Sequence, residues 1–202
     1  MSDDRIRIRR ALASVTDKSG LSDFVKELKD FGVEVVTTGG TARAIREAGY
    51  EVTEVSAVTG FPEIMDGRVK TLHPKIFGGI LCDLDNKSHL VEANEHDIPL
   101  VQLVVVNFYA FQKVVDTPGI TREQIIEAID IGGPSLVRAA AKNYEHVAVA
   151  TMPSQYPLIM RDMESNGVDG GTSLKLRKYL ATQAFTVVLE YDRAINAWFS
   201  RH

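Results

Sequence analysis

What most limits the fold of this chain is the way short apolar runs alternate with segments of helical period. Ala11–Thr16 is apolar and runs into Asp17-Lys18-Ser19-Gly20, a strand followed by a polar loop. Leu21, Phe24, Val25, Leu28 and Phe31 then recur at helical spacing, and Gly32 stops the helix. Val33–Thr37 reads as the next strand, Thr38-Gly39-Gly40-Thr41 as a turn, Ala42–Ala48 as a helix and Val52–Val55 as a third strand. Val101–Val106 is the clearest buried strand, and Val147–Thr151 is another. Helices are predicted over Asn86–His96, over Ile120–Ile129 with Thr121 as cap, from Pro134 through Lys142, and over Ser154–Glu164. This alternation implies a three-layer α/β/α fold with a mostly parallel central sheet. Ligands in such sheets sit beyond the carboxyl ends of the strands.

Two stretches stand outside that rhythm. Between Ser56 and Gly79 periodicity fails, and a long irregular segment in a compact domain is often functional. At the other end a long helix runs from Ser173 to about Phe199. Its apolar stripe passes through Leu176, Leu180, Ala184, Val188, Tyr191, Ile195 and Trp198, with a second row at Phe185, Leu189 and Phe199. A stripe this wide should pack on the domain or on a partner subunit. With no repeat or linker in its 202 residues, the chain reads as one domain, residues 1–10 being a lead-in.

The net charge of −4 argues against a nucleic-acid partner. One cysteine, Cys82, suits a reducing compartment. No apolar run reaches the length of a signal peptide or a membrane span, so a soluble cytoplasmic protein is the expectation.

Four constellations carry chemistry. Thr16-Asp17-Lys18-Ser19-Gly20, Thr38-Gly39-Gly40-Thr41 and Ile131-Gly132-Gly133-Pro134-Ser135 each join a strand or loop to a helix. Glycine lets the backbone approach an anion, and helix N-terminal N–H groups point at it. Singly, each also reads as an ordinary turn or cap. In Gly67-Arg68-Val69-Lys70-Thr71-Leu72-His73-Pro74, Arg68 and Lys70 fall on one side of an extended segment, suited to a phosphate or an oxyanion, or simply to solvent. His73 reads as a structural hydrogen-bonder. Asn107-Phe108-Tyr109 follows the buried strand, with Phe108 and Phe111 as core residues. Asp130 precedes the glycine break, and Arg138 and Lys142 share a helix face, either as proton-handling groups or as cations at a helix C-terminus. The histidines at 73, 89, 96, 146 and 202 show no paired ligand spacing, so no metal is expected. Cys82 reads as a core or near-surface thiol.

Together, SVTDKSGL, TTGGTA, VTGFPEIMDGRVKTLHPKIFGGIL, IDIGGPSLVRAAAKN and LKLRKYLATQAFTVVLEYD resemble the IMP cyclohydrolase domain family of the bifunctional purine biosynthesis proteins, from about Ala11 onward. The resemblance implies a methylglyoxal synthase-like fold, a homodimer and ring closure of a formamido carboxamide ribonucleotide to inosine monophosphate without metal or organic cofactor. It places nucleotide contacts at Thr16, Asp17, Lys18, Thr38, Gly39, Gly40, Thr41, Arg68, Val69, Thr71, Asn107 and Ile131. It places catalysis at Lys142 for proton transfer, Lys70 at the formyl oxygen, Asp130 at the carboxamide and Tyr109 in the proton network. The family usually has NLYPF where this chain has Asn107-Phe108-Tyr109-Ala110-Phe111, and often histidine where Phe77 stands. Its members continue into a transformylase domain, so here formylation is expected from a missing domain or a separate enzyme. The rivals are a methylglyoxal synthase-type lyase, which leaves GRVKTLHP and IDIGGP unexplained, and a nucleotide sensor, which needs no acid–base set.

Overall fold

In a computed structural model of the protein, residues 4–108, 110–165 and 170–201 are described. Thr53–Glu54 (β4), Glu34–Thr37 (β3), Arg10–Val15 (β2), Leu103–Asn107 (β5) and Ala148–Ala150 (β6) lie side by side in that order, all parallel. The sheet is central because its middle strands are apolar on both faces. Ala11, Leu12, Ala13, Leu103, Val104, Val105 and Val106 are all almost wholly buried, as parallel strands covered by helices should be.

Two groups of helices flank it. Leu21–Asp30 (α1) packs on Gly39–Glu47 (α2) and on Tyr156–Glu164 (α9). Gly132–Lys142 (α8) packs on Pro74–Leu81 (α4) and on the long Leu174–Phe199 (α10). From β2 the chain moves outward through β3 to β4, then returns to the other side of β2 for β5 and β6. Right-handed crossovers travelling in opposite directions put their helices on opposite faces. The sheet therefore reverses its order between β2 and β5, and a crevice opens at their carboxyl ends.

Shorter helices complete the chain: Val55–Thr59 (α3), Lys87–Glu95 (α5), Phe111–Val115 (α6) and Arg122–Glu127 (α7). Thr121 caps α7 as its sequence position suggests, in a reciprocal capping box with Gln124. Ile6–Arg7 (β1), in the expected lead-in, pairs antiparallel with Gly171–Thr172 (β7).

Three expectations need correction. Gly39-Gly40-Thr41 is not a free-standing turn but the first turn of α2, with Thr38 as N-cap. α8 begins at Gly132 rather than at Pro134, because a proline in a helix's first turn has no intrahelical N–H bond to lose. The segment 56–79 is not irregular throughout, since it holds most of α3 and of α4. Gly78 and Gly79 sit inside α4 because the Ile98 side chain packs on the first and the Pro99 backbone crosses the second. A Cβ on Gly79 would lie 2.2 Å from the Pro99 carbonyl oxygen.

The stripe on α10 divides as its two rows suggest. Leu180, Ala184, Val188, Tyr191 and Trp198 are buried, whereas Phe185, Leu189 and Phe199 are exposed. Tyr191 and Trp198 join Phe111 and Ile125 in a second small core beneath α6 and α7. No helix among the described residues is long and apolar enough to cross a membrane.

Candidate active site

The scaffold of the site begins at Asn107, the last residue of β5, beside Val15 of β2. Its side-chain oxygen accepts hydrogen bonds from the backbone N–H groups of Thr16 (2.8 Å) and Asp17 (2.9 Å). It also accepts one from the Thr16 hydroxyl at 3.1 Å, and its amide nitrogen donates to the Asp17 carbonyl at 3.0 Å. One amide thus ties the loop after β2 to the end of β5, across the point where the strand order reverses. Asp17 in turn accepts from the Ser19 backbone N–H at 2.9 Å, and bonding to Ser19 holds its carboxyl below the usual range. Thr41 fastens α2 to the same place: its hydroxyl accepts from the Val15 N–H (3.0 Å) and donates to the Val15 carbonyl (3.2 Å).

At Ser14 of β2 and Thr38 opens a cleft of roughly 610 Å³, within the range of small-molecule sites. Three elements wall it. The ends of β2 and β3 contribute Ser14 and Thr38, whose hydroxyls lie 3.0 Å apart. The 61–73 loop contributes Asp66, Gly67, Arg68, Lys70, Thr71 and Leu72. The α7–α8 junction contributes Glu127, Asp130, Ile131, Gly132 and Gly133.

The loop is shaped by a tight reversal. Ile64 and Val69 form an antiparallel bridge, and between them Met65, Asp66 and Gly67 all have positive φ, at 54°, 54° and 86°. Left-handed backbone at two non-glycine residues is costly and is characteristic of ligand-binding segments. Gly67 is needed on a second count: a Cβ there would lie 2.4 Å from Cε of Lys70. The loop ends at His73, which caps α4 by accepting from the Lys75 N–H through Nδ1 at 3.1 Å. His73 is therefore the structural hydrogen-bonder its sequence position suggests.

Asp130 is held from both sides. Its backbone N–H donates to the Tyr191 hydroxyl at 2.8 Å, and its Oδ1 accepts from the Gly133 N–H at 2.8 Å. A Cβ on Gly133 would collide with the Asp130 carboxylate at 2.4 Å, which explains the glycine. The buried end of α10 thus sets the position of the carboxylate in the cleft.

Both cations of the loop meet carboxylates. Arg68 makes a two-point ion pair with Glu127 of α7, Nε to Oε1 at 3.1 Å and a shorter contact from Nη2 to Oε2. This pairing holds the Glu127 carboxyl below its usual range and raises the Arg68 guanidinium. Lys70 Nζ lies 3.5 Å from Glu63 Oε2. Beyond Lys70 a second hollow opens, lined by Gly39, Gly40, Arg43 and Glu63 among others.

The structure thus gathers Thr38, Arg68, Lys70, Thr71, Asp130 and Ile131 around one cleft, with Gly39 and Gly40 in the adjoining hollow. Thr16, Asp17, Asn107 and Thr41 line neither hollow and instead tie the ends of β2 and β5 and the start of α2 together. Val69 is occupied in the backbone bridge, and Lys18 is exposed, its Nζ 3.4 Å from the Thr16 carbonyl. Lys142 does not line the cleft. It is the last residue of α8, exposed, and a rise of about 1.5 Å per residue sets it about 15 Å along the helix from Gly132. Tyr109 lies outside the described residues. Sequence reasoning missed Ser14, Glu63 and Glu127, because nothing in their local patterns distinguishes them from strand and surface residues.

A second group of ionisable side chains sits away from the cleft. Asp83, Asp85 and His146 bring ligand atoms within 4.8 Å of one another, a place where a cation could be held. Buried His146 already bonds Asp83 through Nε2 at 3.0 Å. Spacing concealed the group, since its members come from segments far apart in the chain. Cys82 beside it is buried, and desolvation pushes its thiol up.

Comparison with known proteins agrees with this architecture. Residues 20–135 match the model of the MGS-like domain, and residues 140–202 that of the AICARFT/IMPCHase bienzyme. The bifunctional purine biosynthesis protein PurH of Bradyrhizobium diazoefficiens is 50% identical over 201 residues, covering 100% of this chain and 37% of that protein. PurH of Chlorobium phaeobacteroides strain BS1 is 50% identical over 188 residues, covering 93% of this chain and 35% of that one. The chain therefore spans little more than a third of the length of these relatives. The crystal structure of ForH superposes with a TM-score of 0.85 at 34% identity, covering 95% of this chain and 96% of that one. With a cleft at the reversal of a five-stranded parallel sheet, and matches running from residue 20 to residue 202, the chain belongs to the MGS-like domain family and aligns with the N-terminal region of the PurH proteins.

Proposed function

We propose that this chain is an IMP cyclohydrolase, closing the ring of 5-formamidoimidazole-4-carboxamide ribonucleotide to give inosine monophosphate and water. The observation that carries this reading is the meeting of Lys70, Thr71 and Asp130 with Thr38 and Arg68 around one cleft. In the reaction the carboxamide nitrogen forms a bond to the formyl carbon and gives up a proton. The formyl oxygen gathers negative charge and takes up that proton, and its bond to carbon breaks, releasing water, as the formamido nitrogen gives up the second proton and forms the ring C=N bond. Both reacting groups sit on one ring, so little entropy is left for the protein to remove. Its task is electrostatic: a cation at the formyl oxygen and a carboxylate at the carboxamide. Lys70 takes the first role and Asp130 the second. Arg68, Thr38 and the first turn of α2 hold the phosphate.

Proton transfer by Lys142 is harder to place, since it lies about 9 Å along α8 beyond Leu136, the last residue of that helix to line the cleft. A homodimer in which a second copy brings its α8 end to the cleft would reconcile the two. Exposed Phe185 and Leu189 share one face of α10, with Arg138 of α8 lying 5.9 Å over the Phe185 ring, and offer an apolar surface beside α8.

The test is an ultraviolet assay of ring closure on the purified chain and three variants. Lys70→Met should lower kcat about 10²- to 10³-fold, as loss of an oxyanion-stabilising donor does. Asp130→Asn should lower kcat with a smaller effect on KM. Lys142→Met decides the assembly: full turnover means the cleft of one chain suffices, and loss of turnover means a second copy completes it. No turnover by a folded parent that binds inosine monophosphate would leave a sensor as the reading.

A further inference from the structure

In the cleft the two cations of the 61–73 loop are already neutralised, each by a carboxylate from elsewhere in the chain or loop. Arg68 is paired with Glu127, which belongs to α7 across the cleft mouth. Lys70 is paired with Glu63, and the Glu63 carboxylate sits between the two structures that otherwise bind anions. One is the first turn of α2: Glu63 Oε1 is 3.7 Å from where a Gly39 Cβ would stand. The other is the left-handed turn at Gly67, where Oε2 is 3.8 Å from the equivalent point. Thr38 makes no side-chain capping bond to α2, so the Gly39 and Gly40 N–H groups at its start have no intrahelical partner. A carboxylate here occupies ground suited to a phosphate oxygen.

The pairs are built to be broken. Arg68 and Glu127 side chains are 67% and 55% exposed, and Lys70 and Glu63 are 37% and 41% exposed. Ion pairs this wet contribute little to stability. A phosphate dianion offers Arg68 and the first turn of α2 more charge and more acceptor oxygens than a carboxylate does. Without some anion, however, a loop with three successive positive φ residues and two cations would have little to hold it over the cleft.

We propose that Glu63 and Glu127 are exchangeable counter-ions, positioning residues that hold Lys70 and Arg68 over the empty cleft and give way to the substrate's phosphate, which takes Arg68 and the first turn of α2 and leaves Lys70 free for the formyl oxygen. The proposal rests on the reading that the cleft takes a nucleoside monophosphate. It predicts that ligand binding swings both glutamates away, so that they weaken phosphate binding while leaving nucleoside binding alone.

Calorimetric titration of the whole chain with inosine monophosphate, inosine and inorganic phosphate tests this. Glu63→Gln and Glu127→Gln should each tighten the nucleotide by about two- to fivefold at low salt, the range set by exposed ion pairs. Added salt should shrink the gain. Inosine affinity should stay unchanged in both, a result that a merely structural role would not give. Glu127→Asp, too short to span to Arg68 in the same pose, should act in the same direction. Unchanged or weakened nucleotide binding in folded variants would overturn the proposal. If all forms bind the nucleotide equally, the counter-ion role fails and the cyclohydrolase reading stands. If the wild type binds phosphate but no nucleotide, and the variants bind phosphate more tightly, the cyclohydrolase reading fails and the counter-ion role stands. Binding of neither ligand by any form sinks both.

Discussion

Arg177 and Arg68 are the same side chain put to opposite uses. Arg177, on the first turns of α10, is 2% exposed. Its guanidinium donates to four backbone carbonyls: Tyr144 at 2.9 Å, Glu145 at 2.8 Å, Asp4 at 3.0 Å, and Thr172 in a shorter contact. These belong to the segment after α8, to β7 and to the chain's first described residue, so one cation staples three parts of the molecule. Desolvation pulls it down to about 10, against the attraction of Asp162, Asp4 and Glu145. Arg68 is mostly exposed and holds one carboxylate. A cation buried among carbonyl groups has no ligand to exchange with. One left in water with a single counter-ion can trade it. The closed side of this domain is built from the first kind and the cleft from the second.

The comparison breaks most directly by removing each arginine. Arg177→Met should cost roughly 3–5 kcal/mol of stability, because four carbonyls lose a charged donor at once. Arg68→Met should leave the denaturant midpoint where it was and raise KM for the ribonucleotide about tenfold, through loss of a phosphate contact. Urea unfolding and steady-state kinetics on the same preparations check both. A stable, inactive Arg177→Met protein would reverse the assignment.

Asn107 lies between these extremes, half-buried and fully bonded, yet serving the site. Asn107→Ala leaves the Thr16 and Asp17 N–H groups without their acceptor, at a cost of about 1–2 kcal/mol. Because the loop after β2 then loosens, nucleotide binding should weaken as well. If stability falls and binding does not, that loop is scaffold only.

What sequence could reveal follows the same division. The buried strands and the cap at Thr121 were legible, because apolar runs and capping side chains are local signals. The wide stripe on α10 was legible too, but not Arg177 within it, since a buried cation looks like a surface one until its carbonyl partners are placed. Gly78 and Gly79 close the stretch where periodicity fails, yet they are contact points inside α4 against 98–99, a requirement written in another part of the chain. In the cleft the motif residues Thr38, Arg68, Lys70, Thr71 and Asp130 could be named in advance. Glu127 could not, because the cation it meets is 59 residues away in sequence, and Glu63 could not, because only the left-handed reversal of the loop brings it to Lys70. Lys142 shows the converse: its motif placed it with Asp130, yet the length of a straight helix separates them.

The smallest expected effect concerns a polar group that belongs to neither kind. Tyr156 of α9 is 4% exposed, its ring stacked on Phe24 of α1 at 4.3 Å and nearly parallel. Its hydroxyl is buried and has no hydrogen-bond partner among the described residues. A buried hydroxyl without a partner has lost its water and gained nothing, so Tyr156→Phe should be neutral or stabilising by up to about 1 kcal/mol at neutral pH. Alkali amplifies the difference. Burial first, and the negative charge of Asp17 second, push the Tyr156 phenol up to about 12. An unfolded chain loses this proton near pH 10 while the folded one keeps it. Stability from this group is therefore intact below about pH 10 and falls as pH rises toward about 12, where the folded phenol also ionises. Tyr156→Phe removes that share of the fall, and its advantage should widen between urea titrations at about pH 8 and about pH 11. If the variant is instead the less stable at neutral pH, the hydroxyl has a partner, and α9 joins Arg177 on the satisfied side of the molecule.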